Sequence, residues 1–141
     1  MIKTFRGLMA DDTQDTIVLH TNTGSTGYRI VNFRVMPKTD ALIETTMKIY
    51  KIEQSTNTSD MDFSDNTLLA AAFYAQTAST DANKEIIIFD KEIFNQDIYI
   101  TLKAHSSAGE LNYYLELEQV KLDLNQNTVA TLKDIRNVTA P

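Results

Sequence analysis

From Leu111 onward, apolar and polar positions follow three successive rules. Tyr113, Leu115 and Leu117 alternate with Tyr114, Glu116 and Glu118, the two-residue period of a strand with one buried face. After Glu118 the phase flips: Val120, Leu122 and Leu124 carry the apolar face, and Gln119, Lys121 and Asp123 the polar one. A one-residue slip turns every side chain to the opposite face. The flip therefore predicts either a β-bulge near Glu118 and Gln119 or a strand that passes from one sheet to another. Beyond Asn125 the spacing becomes three, in Val129, Leu132 and Ile135. Asn127 or Thr128 stands where a cap belongs, which predicts a short C-terminal helix.

The earlier chain reads mostly as strands between polar turns. Residues 2–8 are a first strand or an extended arm, and residues 10–15 a turn. Residues 16–21 form a short strand with Ile17 and Leu19 on one face. Residues 28–36 form a strong strand, Val31, Phe33 and Val35 alternating with Asn32 and Arg34, and Pro37 ends it. In residues 43–52, Met47 and Ile49 face one way, Lys48 and Tyr50 the other. Residues 53–66 are a long polar loop, with Phe63 as the candidate to pin it to the body. Residues 67–75 have no clean period; their alanines suit a helix and their bounding turns a core strand, and the strand is preferred. Residues 76–84 are a second polar loop. Residues 85–89, a continuous apolar run, predict a strand buried on both faces. Residues 90–96 turn with Ile93 and Phe94 inward. Ile98, Ile100 and Leu102 form the inner face of a strand over 97–104, joined by a tight loop at 105–110 to the Leu111 strand as an antiparallel hairpin. The resulting fold class is all-β: an antiparallel β-sandwich of about eight strands, jelly-roll-like, with a short C-terminal helix. Residues 1–141 read as one domain, without repeats or a linker.

Composition narrows the function. Hydrophobic residues make up 43% and charged residues 23%, ordinary for a globular chain. Cysteine is absent, which removes disulfides, thiolate nucleophiles and zinc–thiolate sites. A net charge of −6 opposes nucleic-acid binding, and no basic run counters it. No apolar run approaches the roughly 20 residues of a membrane-spanning helix. The expectation is no nucleic acid, no membrane and no cofactor.

Few positions suggest chemistry. Asp60, Asp62 and Asp65 invite a cation, yet Asp65 stands where an EF-hand needs Gly, and no Glu closes the loop. A solvated acidic loop is the plainer reading. His20 lies on a polar strand face, and His105 precedes Ser106 and Ser107 without any nucleophile elbow. Residues 24–27, GSTG, are too short for a phosphate loop. Glu116 and Glu118 share one strand face, as the paired carboxylates of a glycosidase could, but solubility alone produces the same pattern. Catalytic, cofactor and metal residues are therefore assigned to none.

Four segments carry a resemblance: residues 16–33, TIVLHTNTGSTGYRIVNF; 62–73, DFSDNTLLAAAF; 88–101, IFDKEIFNQDIYIT; and 112–137, which contains VATLKDIRN. The resemblance runs between residues 16 and 137 and is strongest at VATLKDIRN. They resemble small virion structural proteins of tailed bacteriophages of marine bacteria, pelagiphages among them. A small acidic all-β chain without enzymatic motifs is similar, within such phages, to capsid cement (decoration) proteins. The resemblance implies a non-enzymatic protein on the outer capsid surface, assembled in the host cytoplasm. It further implies a dimer or trimer that clamps the major capsid protein. A tail, head–tail or carbohydrate-binding appendage role is the alternative.

Such a protein needs surface that its own core does not use. The N-terminal stretch combines Ile2, Phe5 and Leu8 with Arg6, apolar anchors beside scarce positive charge. Tyr114 faces away from its buried neighbour Tyr113. Ile2, Phe5, Arg6, Leu8 and Tyr114 are the candidate partner contacts. The competing reading makes residues 2–6 an edge strand of the same domain.

Overall fold

The computed structural model describes residues 1–39, 43–76, 84–107 and 109–123. The predicted C-terminal helix lies outside them. The described chain is all-β: β1 (Ile2–Met9), β2 (Thr13–Ile17), β3 (Thr26–Pro37), β4 (Glu44–Tyr50), β5 (Leu68–Ala75), β6 (Lys84–Phe89), β7 (Ile98–Ser107) and β8 (Leu111–Lys121). They form two antiparallel sheets, of order β1-β8-β3 and β2-β7-β4-β5-β6. One core lies between them. Phe33, Leu115 and Leu117 of the first sheet pack with Met47, Ile100 and Leu102 of the second, all at most 1% exposed.

Residues 2–8 thus belong to a strand, paired along its whole length with β8 from Ile2–Glu118 to Met9–Leu111. A tight turn then hands the chain to the other sheet. Asp12 takes a φ of 60°, a left-handed conformation that Asp tolerates. Its amide donates to the Leu102 carbonyl at 2.8 Å. The polar stretch 10–15 is therefore only partly turn: β2 begins at Thr13 and ends at Ile17, before the predicted Thr21.

Four further expectations are corrected. The register break is on β3, not near Glu118 and Gln119: Ile30 pairs with Leu117 but Asn32 with Glu116. Val31 is the extra residue of a bulge. It is half-buried rather than inward, and the apolar phase passes from Tyr28 and Ile30 to Phe33 and Val35. Second, β7 and β8 do not form a hairpin. They lie in different sheets, and β7 extends through residues predicted as loop to Ser107. Third, β6 is not buried on both faces. It is an edge strand, with Ile86 57% and Ile88 52% exposed. Fourth, Phe63 does not pin its loop; it is 66% exposed.

Polar groups hold that loop instead. The Asn57 Nδ2 donates to the carbonyls of Leu102 at 2.7 Å and Thr13 at 3.2 Å. Gln14 and Gln54 exchange two further bonds. Lys48 Nζ donates to the Asp60 carbonyl at 2.7 Å. The loop thereby covers the outer face of β4, so Lys48 and Tyr50 are buried although they point away from the core. The strand preferred over residues 67–75 is present as β5. Leu69 is its bulge residue, since Ile49 pairs with Ala70 and Tyr50 with Leu68, and the bulge removes any clean period.

Candidate interaction surface

The strand register brings together residues that are far apart in sequence. Across β1, β8 and β3, one row is Arg6–Tyr114–Arg34, and the next is Leu8–Asn112–Met36. Two rows further along come Thr4–Glu116–Asn32 and Ile2–Glu118–Arg29. Directly opposed residues of an antiparallel sheet share a face. This is the outer face, because the alternate positions Tyr113, Leu115 and Leu117 are buried. Ile2, Arg6, Leu8 and Tyr114 therefore lie on one surface. Phe5 is on the other side of β1, packed against the core.

The face mixes apolar area with positive charge. Ile2 is 50%, Leu8 41%, Met36 68% and Tyr114 38% exposed. A shallow depression of about 570 Å³ runs among Arg6, Leu8, Arg34, Met36 and Tyr114. The acidic groups on the face are engaged. Glu118 Oε2 accepts from Arg29 Nη2 at 2.8 Å and Nε at 3.0 Å, and Glu116 accepts from the Tyr114 hydroxyl at 2.9 Å. The guanidinium groups of Arg6 and Arg34 make no hydrogen bond or ion pair with another described residue. They flank Tyr114 two strand spacings apart, about 10 Å. Two open guanidiniums on a chain of net charge −6 form a local reversal of sign.

Compared with known protein families, curated proteins and solved structures, the chain matches none. The site is therefore argued from its geometry. The sequence did not place Arg34 and Met36 on this face. Both occupied the polar phase of β3, but nothing local showed that β3 lies beside β8.

The other candidate positions are held in place by neighbours. Asp97 Oδ1 accepts from the Leu19 amide at 2.8 Å, the His20 amide at 3.0 Å and His20 Nδ1 at 2.7 Å. Burial works to raise the Asp97 carboxyl, but these bonds and the imidazole charge outweigh it and hold the group below its ordinary value. His105 Nε2 bonds the Thr46 hydroxyl at 2.6 Å and meets the Phe73 ring edge-on.

The acidic loop also has an internal account. Asp62 Oδ1 accepts from Ser64, and Asp65 Oδ1 from the Thr67 amide and hydroxyl. Among the described residues, no three metal-ligating side chains converge. Burial pushes Lys48 down from its ordinary value, while the charges of Asp60 and Asp65 pull it up. Burial, with Asp65 and Asp62, pushes the Tyr50 hydroxyl up to about 12. The carboxylates of the loop thus supply counter-charge to a covered lysine.

Proposed function

We propose that this chain is a non-enzymatic structural protein that docks the outer face of its three-stranded sheet onto an acidic surface of a larger assembly. We identify that assembly as the shell of major capsid protein in a phage virion, with the chain as its cement. The observation that carries the docking is the Arg6–Tyr114–Arg34 row beside exposed Leu8 and Met36. Arg, Tyr and Met are the residue types enriched at protein interfaces. Open guanidiniums favour a partner that presents carboxylates. The identity of the partner rests on the resemblance of the four segments to phage virion proteins.

The strand order supports a jelly-roll β-sandwich, a scaffold of two Greek keys common in virion proteins. Such a fold divides its eight strands as 1-8-3-6 and 2-7-4-5. Here β1-β8-β3 faces β2-β7-β4-β5, and the sixth segment is split. β6 stays on β5, after which the chain crosses and Phe94 bridges Tyr28 of β3 in both directions, at 2.8 and 2.9 Å. In this reading residues 1–141 are one domain acting on the outer capsid surface without a cofactor.

The test is co-sedimentation of the purified chain with capsids lacking it, comparing wild type with the double variant Arg6→Glu, Arg34→Glu. Wild type should saturate at many copies per particle. The double variant should melt cooperatively but bind at least about tenfold more weakly. Full occupancy by the double variant would place the docking surface elsewhere. Binding of a few copies confined to the tail would favour the appendage role.

A further inference from the structure

The four outer strand edges are not alike. β2 is short and polar, TQDTI. β1 carries Lys3 and Arg6. β3 is bent by its bulge at Val31, ends on Pro37 and is partly met by Phe94. Charge, proline, bulges and short length are the usual protections against unwanted pairing. β6 has little of this. Its six residues, KEIIIF, pair with β5 without a register break, contain no proline, and confine charge to one end.

The direction of its backbone groups follows from one bond. The Asp90 amide donates to the Leu69 carbonyl on β5 at 2.8 Å. Alternate residues of an antiparallel strand address opposite sides. Ile88 and Ile86 therefore bond to β5, and Phe89, Ile87 and Glu85 aim their N–H and C=O groups at the open edge. No described residue pairs with that edge. On the outer face beside it, Ile86 and Ile88 stand more than half exposed. Phe63, 66% exposed, lines a groove of about 590 Å³ with Leu68, Ala71 and Ile88.

We infer that the β6 edge pairs with the β6 edge of a second copy, antiparallel about a twofold axis at Ile87. Residue type and parity select the occupant. A twofold axis normal to the sheet requires residues on the same face to oppose each other, so the position numbers of each pair sum to an even number. With the axis at Ile87, Ile86 opposes Ile88 of the second copy, and Glu85 opposes Phe89. Lys84 then opposes Asp90 of the second copy at each end, an opposite-charge pair made twice. The same register places the outward-aimed residues opposite one another. Glu85 with Phe89, Ile87 with Ile87, and Phe89 with Glu85 give three bonded pairs and six backbone hydrogen bonds between copies. Shifting the axis by one residue leaves Lys84 against an isoleucine or unopposed. The product is one continuous ten-stranded sheet, five strands from each copy. This edge belongs to the sheet that does not carry the Arg6–Tyr114–Arg34 face, so the pairing stands or falls independently of the capsid reading.

Sedimentation velocity of the full chain into the high-micromolar range is the test. Wild type should convert from monomer to dimer with rising concentration. Glu85→Pro removes an amide that bonds to no described residue of the monomer, and the side chain is exposed, so the fold should survive. That variant should weaken dimerisation at least about tenfold. Should it fail to fold, the double variant Ile86→Cys, Ile88→Cys gives a second readout. Opposed non-bonded pairs have Cα atoms about 4.5 Å apart, within disulfide reach. The chain has no cysteine of its own, so mild oxidation should yield a covalent dimer. A wild type that stays monomeric throughout overturns the proposal. So does a Glu85→Pro variant that dimerises like wild type, or a cysteine pair that does not cross-link.

Discussion

Replacing Asn57 by Ala and by Asp separates what this side chain does from what its volume does. Its Nδ2 is aimed at two carbonyls, Leu102 at 2.7 Å and Thr13 at 3.2 Å, which only a donor can satisfy. Its Oδ1 is buried without a partner. Alanine removes two hydrogen bonds, each worth about 0.5–1.5 kcal/mol net, and relieves the orphaned oxygen. The Leu102 carbonyl keeps the Asp12 amide, and Thr13 stays paired with Leu102 in the β2–β7 ladder, so neither carbonyl is left bare. The expected loss is about 1–2 kcal/mol. Aspartate has nearly the same shape but no donor, and places a carboxylate against two carbonyl oxygens. It should cost about 3 kcal/mol or more at neutral pH. Its carboxyl would be raised in the folded state above the unfolded value of about 3.9. Stability of that variant should therefore rise as pH falls through the raised value, and level off below the unfolded one. Urea denaturation from pH 7 to pH 4 measures both effects as displaced midpoints at unchanged slope. An Asn57→Asp variant no less stable than Asn57→Ala at pH 7, or one without acid recovery, would refute the clamp.

Two further outcomes follow from contacts described above or adjoining them. Gly7 lies under Tyr113; a Cβ there would sit 2.9 Å from the ring, so Gly7→Ala should destabilise by about 1–3 kcal/mol. Thermal melts should show the drop, and Tyr113→Leu in the same chain should recover part of it. Asp97→Asn keeps an oxygen for the Leu19 and His20 amides but loses the charge. The carboxyl is held below its ordinary value of 3.8, so its stabilisation is fully present above 3.8 and lost as pH falls through the lowered folded value. The stability gap between wild type and Asp97→Asn, about 1 kcal/mol at pH 7, should close in acid.

Much of the fold was legible because alternation survives in the strands with one wet face. Leu115 and Leu117, and Ile98, Ile100 and Leu102, are buried as their spacing requires. Elements were misread where a second partner lay elsewhere in the chain. β4 looks one-sided in sequence, yet a loop covers its polar face. β5 lost its period to a bulge and to burial on both faces. Three consecutive isoleucines imitate a central strand, but Ile86 and Ile88 sit on an edge. β8 itself pairs without a break from Leu111 to Lys121, and the extra residue of the sheet lies in β3, some ninety positions from where the sequence changes phase. For the same reason four of the five proposed contacts fell on one face, while Arg34 and Met36 escaped notice.

The three-stranded sheet joins the beginning of the chain to its far end. Ile2 meets Glu118, and both β1 and β3 bond to β8 but not to each other. β4, β5 and β6, by contrast, are neighbours in sequence and in space, a meander able to form early. During synthesis β1 and β3 must wait, their apolar sides uncovered, until residues 111–121 emerge and insert between them. Closure of such distant contacts is slow, and the waiting chain is exposed to misassembly. Arg6 and Arg34 come to flank Tyr114 only at that last step. A nascent chain, or one clipped before β8, would hold both arginines without the row they form with Tyr114, so the proposed docking would have to wait for β8 to insert.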